Sequence, residues 1–157
     1  RRQLASMGTH DLDKIKGPIT YEAVSPAEIK FQALKQTESM SADKLCELYK
    51  TDNVMKKFLP ILEGHDKFPA FFDADREVLS LPPLINSNRT KITCNTKNVF
   101  VEITATDLQK AKICLAIMAA QFSTHSAGEW QHKCEQVQIT YENTPDMGKE
   151  LSPTMTY

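Results

Sequence analysis

The sequence predicts an α+β fold, and three observations carry that reading. Val99–Ala105 alternates cleanly, with Val99, Val101, Ile103 and Ala105 on one face and Phe100, Glu102 and Thr104 on the other, the period-2 pattern of a strand. Phe68–Phe72 and residues 77–81 flank Asp73-Ala74-Asp75-Arg76, a turn-forming tetrapeptide that predicts a hairpin. Helical periodicity appears in three places that interrupt the strands irregularly, unlike the strict alternation of a doubly wound sheet.

Taken in order, residues 3–7 alternate weakly, and Gly8-Thr9-His10-Asp11-Leu12-Asp13 reads as a turn leading into one helical turn. Gly17-Pro18 breaks the chain, residues 19–23 read as a strand, and after Ser25-Pro26 residues 29–34 are extended. Ser41 is placed to cap a helix over residues 42–50, whose apolar face is Leu45, Leu48 and Tyr49. Asp52 is placed to cap a second helix over 53–62, distorted by Pro60 and stopped by Gly64.

Pro82-Pro83 must end the strand at 77–81, because two missing amides cannot continue a ladder. Residues 91–95 suggest a further strand. Residues 107–123 predict a well-buried helix with a Thr106/Gln109 capping box and a stripe of Leu108, Ala111, Leu115, Met118 and Phe122, widened by Ile113 and Ile117. A final strand is expected at 134–142. Residues 1–142 are expected to form one domain, followed by a loose tail at 143–157.

The chain has 157 residues, enough to bury roughly two-thirds of its unfolded surface in one domain. Nineteen basic against twenty acidic side chains leave a formal charge of −1, which argues against an autonomous nucleic-acid binder. Cys46, Cys94, Cys114 and Cys134 are widely spaced without a C-x-x-C pair, as expected of reduced thiols in a cytosolic protein. No signal peptide or membrane-length apolar run is read in the sequence. The start at Arg1-Arg2-Gln3 and the abrupt end at Met155-Thr156-Tyr157 suggest a piece of a longer protein.

The chemistry is concentrated between residues 77 and 107. Glu102 and Thr104 share one strand face, where a carboxylate and a hydroxyl can hold a polar ligand against Phe100, or can simply be solvated. Ser80 and Asn86 flank the Pro-Pro turn and either orient water or satisfy turn backbone groups. Thr106 is most economically a helix cap, although free amides at that helix start would favour a developing oxyanion. No metal site is expected: His10 with Asp11 and Asp13 reads as turn capping, and His125 and His132 lack ligand spacing. Cys94 as a nucleophile would need a depressed pKa that only nearby lysines offer.

Several stretches taken together resemble the β subunit of the archaeal and eukaryotic cytosolic type of phenylalanyl-tRNA synthetase. They are Ser6-Met7-Gly8-Thr9-His10-Asp11-Leu12-Asp13, Gly17-Pro18-Ile19-Thr20-Tyr21, Ile29-Lys30-Phe31, Tyr49-Lys50-Thr51-Asp52-Asn53, and, most strongly, Val78-Leu79-Ser80-Leu81-Pro82-Pro83-Leu84-Ile85-Asn86 with residues 98–107. The resemblance runs from about the first residue to the neighbourhood of Glu142.

It implies the editing domain formed by the subunit's third and fourth modules, a β-sandwich-like core of mixed, mainly antiparallel strands with about three helices around it. The activity implied is hydrolysis of tyrosine wrongly esterified to tRNA(Phe). The implied partners are the tRNA acceptor end and the synthetic α subunit, in a cytoplasmic α2β2 enzyme that involves no membrane. No cofactor is implied in this domain, since ATP and magnesium belong to the α subunit.

Carried over residue by residue, the resemblance makes Glu102 and Thr104 pocket residues, Ser80 the pocket serine, and Phe71 an apolar wall beside Phe100. Glu102 would accept the phenol proton. Ser80, Asn86 and Thr104 would help place the ester and water. Glutamate stands at 102 where archaeal members tend to have aspartate, and Ala105 where glycine is more usual. The alternative is a non-catalytic structural or tRNA-positioning module of the same subunit.

Overall fold

Val99–Ala105 is a strand, and its partner is a segment whose composition reads as a turn. In the computed structural model, which describes residues 5–125, 133–135 and 137–140, Ala5–Asp11 forms β1 and pairs antiparallel along its whole length with Val99–Ala105. Gly8 and Thr9 therefore lie mid-strand, and only Leu12–Lys14 makes a single 3₁₀ turn, capped by the Asp11 carboxylate. Composition misled here because Gly8 answers a need for space on a strand face rather than for a turn.

The chain divides into two compact units, Arg1–Thr106 and Asp107–Tyr157. In the first, the strands are β1, β2 (Thr20–Val24), β3 (Lys30–Phe31), β4 (Met40–Ser41), β5 (Phe68–Phe72), β6 (Val78–Leu81), β7 (Ile85–Asn86) and β8 (Val99–Ala105). They form three antiparallel sheets: β1 with β8, β3 with β4, and the order β2-β5-β6-β7. Helix α1 spans Ala42–Tyr49. With the helices, this is the α+β class the sequence predicts.

The β5–β6 hairpin forms as expected, and its turn is fastened by Asp73, whose Oδ1 accepts the amides of Asp75 and Glu77, each at 3.0 Å. All four residues of β6 are buried, so the strand is covered on both faces. The Pro82-Pro83 turn follows, and Ser80 and Leu81 then pair with Asn86 and Ile85 of β7. The apolar core gathers Phe31 of β3 and the preceding Ile29, Leu45 and Tyr49 of α1, Leu62, and Phe72 of the large sheet, among others. Leu45 and Tyr49 bury as their helical spacing implies, whereas Leu48, expected on the same apolar face, is exposed, and Ser41 precedes the helix without a side-chain capping bond.

Several expectations need correction. The helix expected over 53–62 is two 3₁₀ turns, Met55–Lys57 and Leu59–Ile61, with Pro60 inside the second, although Asp52 does cap the first by accepting from Val54 and Met55. A proline amide cannot donate to a helix interior, so the turn tightens instead. Residues 91–95 are not a strand, because Thr93 and Thr96 bond each other's backbone and close a local turn.

In the second unit, α2 spans Leu108–His125, and none of its residues is buried. Leu108, Ile113, Ile117 and Phe122 are each more than a third exposed, against the expected buried stripe. The cap is Asp107, whose carboxylate accepts the Lys110 amide at 3.0 Å, rather than a Thr106/Gln109 box. Of the strand expected at 134–142, the described residues 134–135 and 137–140 adopt no strand, and the others lie outside the described residues, as do most of the expected tail.

Candidate functional site

Strands β1 and β8 turn their polar face inward. Register pairs Ser6 with Thr104, Gly8 with Glu102 and His10 with Phe100, so these six residues occupy one face of the ribbon. On that face Gly8, His10 and Glu102 are buried, whereas Val99 and Ala105 on the opposite face are exposed. A charged residue thus occupies the covered side of the strand and the β-branched residues its more open side. This inversion of ordinary patterning sets the site apart.

Glu102 is 6% exposed. Ser80, itself buried on β6, donates its hydroxyl to Glu102 Oε1 at 2.8 Å. His10, with no exposed surface, directs Nε2 toward the same oxygen at 3.8 Å, too long for a hydrogen bond. Its Nδ1 meets the buried Thr90 hydroxyl at 2.8 Å. Two buried side-chain atoms have no hydrogen-bond partner among the described residues: His10 Nε2 and Glu102 Oε2. Orphans of this kind are rare and costly in folded proteins, and both belong to one pair of neighbours.

Gly8 makes this arrangement possible. A Cβ at that position would overlap Glu102 Oε1, lie 2.9 Å from its carboxyl carbon and stand 3.1 Å from His10 Nε2. The carboxylate and the imidazole converge above a backbone that carries no side chain.

From the Ser6–Thr104 pair outward, the same region opens into a cleft of about 310 Å³. Thr104, Ser6, Tyr21, Pro82, Pro83 and Leu62 line it, with His65 and Lys67 supplying polar groups. Tyr21 is 53% exposed and stacks on Phe71 with ring centroids 4.5 Å apart. Partial burial, and secondarily the negative charge of Glu102, push the Tyr21 phenol above its ordinary pKa. Tyr21 thus feels Glu102 from the cleft side. One side-chain repeat along β8, about 7 Å, separates Glu102 from Thr104 at the cleft wall.

The residues singled out by sequence fall into three groups. Glu102 and Ser80 are joined by a hydrogen bond, and Thr104 lies one repeat along the same face of β8, in the cleft wall. Phe71 stands behind Tyr21 and Phe100 beside His10, at 6.1 Å between rings, and neither lines the cleft itself. Asn86 lies across from Ser80 in the β6–β7 pair, with its amide donating to the Thr9 carbonyl at 3.4 Å.

Sequence reasoning missed His10, Gly8, Thr90 and Tyr21. The usable signal was the alternation Ser6, Gly8, His10, which the turn-forming composition of Gly8–Asp11 concealed. Among the described residues no group of three or more His, Cys, Asp or Glu side chains is arranged to hold a metal ion, and no helix is long and apolar enough to cross a membrane.

Residues 2–133 match the family described as the B3/4 domain. The chain is 52% identical over 143 residues to the cytoplasmic phenylalanine–tRNA ligase beta subunit of Arabidopsis thaliana, covering 91% of this chain and 24% of that protein. It is 45% identical over 157 residues to the beta subunit from Caenorhabditis elegans, covering 100% of this chain and 26% of the relative. The human beta subunit is 43% identical over 143 residues, again 91% of this chain and 24% of that one. The chain therefore spans about a quarter of the length of these relatives.

Among solved structures, an N-terminal fragment of the phenylalanyl-tRNA synthetase beta subunit from Pyrococcus horikoshii shares the fold. Its TM-score is 0.69 at 24% identity, covering 92% of this chain and 45% of that one.

Proposed function

We propose that this chain, which belongs to the B3/4 domain family, is the editing site of a phenylalanyl-tRNA synthetase β subunit and hydrolyses tyrosine from mischarged tRNA(Phe). Its partners are the tRNA acceptor end and the α subunit of a cytoplasmic α2β2 enzyme, and ATP and magnesium act on that other subunit. The observation that carries this reading is the unpartnered Oε2 of the buried Glu102, on the strand face that continues inward from the cleft wall.

A synthetic pocket that binds phenylalanine cannot reject an isostere that only adds a hydroxyl by more than a modest factor. A second site that hydrogen-bonds the hydroxyl can discriminate by roughly 10⁴-fold, because phenylalanine leaves the buried polar group unpaired. Glu102 supplies that group. A tyrosyl ring that enters beside Tyr21 and Pro82-Pro83 passes Thr104 and brings its phenol to Oε2. Ser80 holds Oε1, which fixes the direction in which Oε2 faces.

The ester then lies at the cleft, where Thr104, Ser6 and the backbone near the Pro-Pro turn place the carbonyl and a water. Water adds to the carbonyl carbon, the carbon–oxygen bond to the ribose breaks, and the departing ribose oxygen takes a proton. An aminoacyl ester is reactive enough that orientation and a few dipoles suffice. In this arrangement Ser80 and Asn86 act through position: Ser80 on Glu102, and Asn86 on the β1 backbone at Thr9.

The test is clearance of tyrosyl-tRNA(Phe) and phenylalanyl-tRNA(Phe) by the assembled synthetase carrying this chain. Glu102→Ala should lower the tyrosyl-to-phenylalanyl ratio about 10- to 100-fold, the size of a lost hydrogen bond to a charged group. A ratio unchanged in this variant removes Glu102 as the discriminating residue. Tyrosyl clearance that persists after deletion of the whole chain favours a positioning module instead.

A further inference from the structure

We infer that His10 is a second reader of the ligand's hydroxyl, with Thr90 fixing the imidazole so that Nε2 donates to the phenol oxygen while Glu102 Oε2 accepts its proton. This rests on the reading of Glu102 given above and extends it to two residues that the family resemblance assigns no role.

The two orphan atoms are complementary. A phenol hydroxyl is one donor and one acceptor. Glu102 Oε2 offers only acceptance, and His10 Nε2 offers donation when the ring carries its proton there. The Glu102 carboxylate selects that form, and the Thr90 hydroxyl, able to donate or accept, matches it. If Nδ1 were the protonated nitrogen, the Nε2 lone pair would face the oxygens of Glu102, 3.8 Å away at the nearest, and would repel them. If instead the Thr90 hydroxyl donates to Nδ1 across their 2.8 Å contact, the proton sits on Nε2 and points toward the carboxylate.

Among the described residues Nε2 and Oε2 both lack a partner. At 3.8 Å, His10 and Glu102 are too far apart to satisfy each other. Both groups converge above the bare backbone of Gly8. A hydroxyl brought to them satisfies Nε2 and Oε2 together. Phenylalanine would leave both unpaired, so the penalty against it falls on two buried atoms rather than one.

A donor-rich, acceptor-poor probe separates one reader from two. The measurement is the Kd of the assembled synthetase carrying this chain for non-hydrolysable 3′-amide-linked aminoacyl-adenosines bearing tyrosine, 4-aminophenylalanine or phenylalanine. The aniline nitrogen donates as the phenol does but accepts poorly, because its lone pair is drawn into the ring. Glu102 alone would bind the hydroxyl and amino probes alike. Two readers should favour the hydroxyl by about tenfold, with phenylalanine weakest of the three.

In His10→Ala the tyrosine-to-aminophenylalanine ratio should fall to near one while both probes still outbind phenylalanine. His10→Gln, which returns an amide donor, should restore part of it. Thr90→Val removes the partner that orients the ring through Nδ1 while keeping a group of similar shape, and should lower the same ratio by loosening the imidazole. Ratios that stay at the wild-type value in His10→Ala, or in Thr90→Val should His10→Ala not fold, overturn the inference. A wild-type enzyme that binds the tyrosine and phenylalanine probes equally contradicts instead the underlying reading of Glu102.

Discussion

Two buried carboxylates in the first unit, Asp73 and Glu102, are wired in opposite ways. Asp73, 2% exposed, spends every oxygen: Oδ1 accepts the Asp75 and Glu77 amides, and Oδ2 accepts from Arg89 Nη2 at 2.6 Å. Arg89 also donates to the Lys14 carbonyl, which ties the hairpin turn to the segment after β1. Glu102 accepts from a serine at one oxygen and, among the described residues, has no hydrogen-bond partner at the other. A saturated carboxylate holds a fold together; one held at one oxygen and bare at the other is ready for a ligand. The difference separates a structural acid from a reading one within a single small unit.

Substitutions that exchange these roles test the contrast, and the largest effect belongs to the saturated acid. Asp73→Ala should destabilise the protein by about 3 kcal/mol, because it strands Arg89 and two turn amides at once. The tyrosyl-to-phenylalanyl clearance ratio should stay at the wild-type value. Denaturant unfolding and clearance assays on the same preparation check both halves.

Gly8→Ala comes next. Its methyl needs the volume that the Glu102 carboxylate fills, and relief should cost about 2 kcal/mol in stability and at least about tenfold in selectivity. A Gly8→Ala enzyme with unaltered selectivity would mean that the exact seat of the carboxylate is unimportant.

Glu102→Gln should act with the opposite sign on stability. The amide can still accept from Ser80, and it no longer buries an unpaired carboxylate oxygen, so a gain of about 1 kcal/mol, or roughly 2–4 °C in Tm, is expected. A loss of stability would show that the carboxylate is already satisfied in the folded state.

The smallest effect is in the acid limb. Burial raises the Asp73 pKa, but Arg89 and the Glu77 and Asp75 amides outweigh it and hold the pKa below its ordinary value. A folded pKa below the unfolded one, near 3.9, gives stability that is present above about pH 4 and lost as pH falls through the folded value. Asp11, Asp43 and Asp52 are lowered as well, so Asp73→Asn should flatten the fall of Tm below about pH 4 without removing it.

The same contrast explains what could be read from the sequence. The β5–β6 hairpin, the Pro-Pro turn, α1 and β8 were legible because local periodicity and turn chemistry decide them. Glu102 and Thr104 were legible for the same reason, as polar residues in phase on an otherwise apolar strand. The other half of the site was not. Gly8 and His10 sit in a composition that favours turns, and only pairing with a strand about ninety residues away makes them strand residues. Thr90 meets His10 across 80 positions. The helix α2 erred the other way: its periodicity is real, but periodicity fixes which side chains share a face and not whether that face is buried, and Leu108, Ile113 and Ile117 are exposed.

The central claim is that Glu102 Oε2 reads the phenol, and the most direct measurement is a crystal structure of the chain with a non-hydrolysable tyrosyl-adenosine analogue. The account predicts the ring beside Tyr21 and the Pro-Pro turn, with its hydroxyl within about 3 Å of Glu102 Oε2. A ring that leaves its hydroxyl at the cleft mouth, with Oε2 still unpartnered, would contradict it.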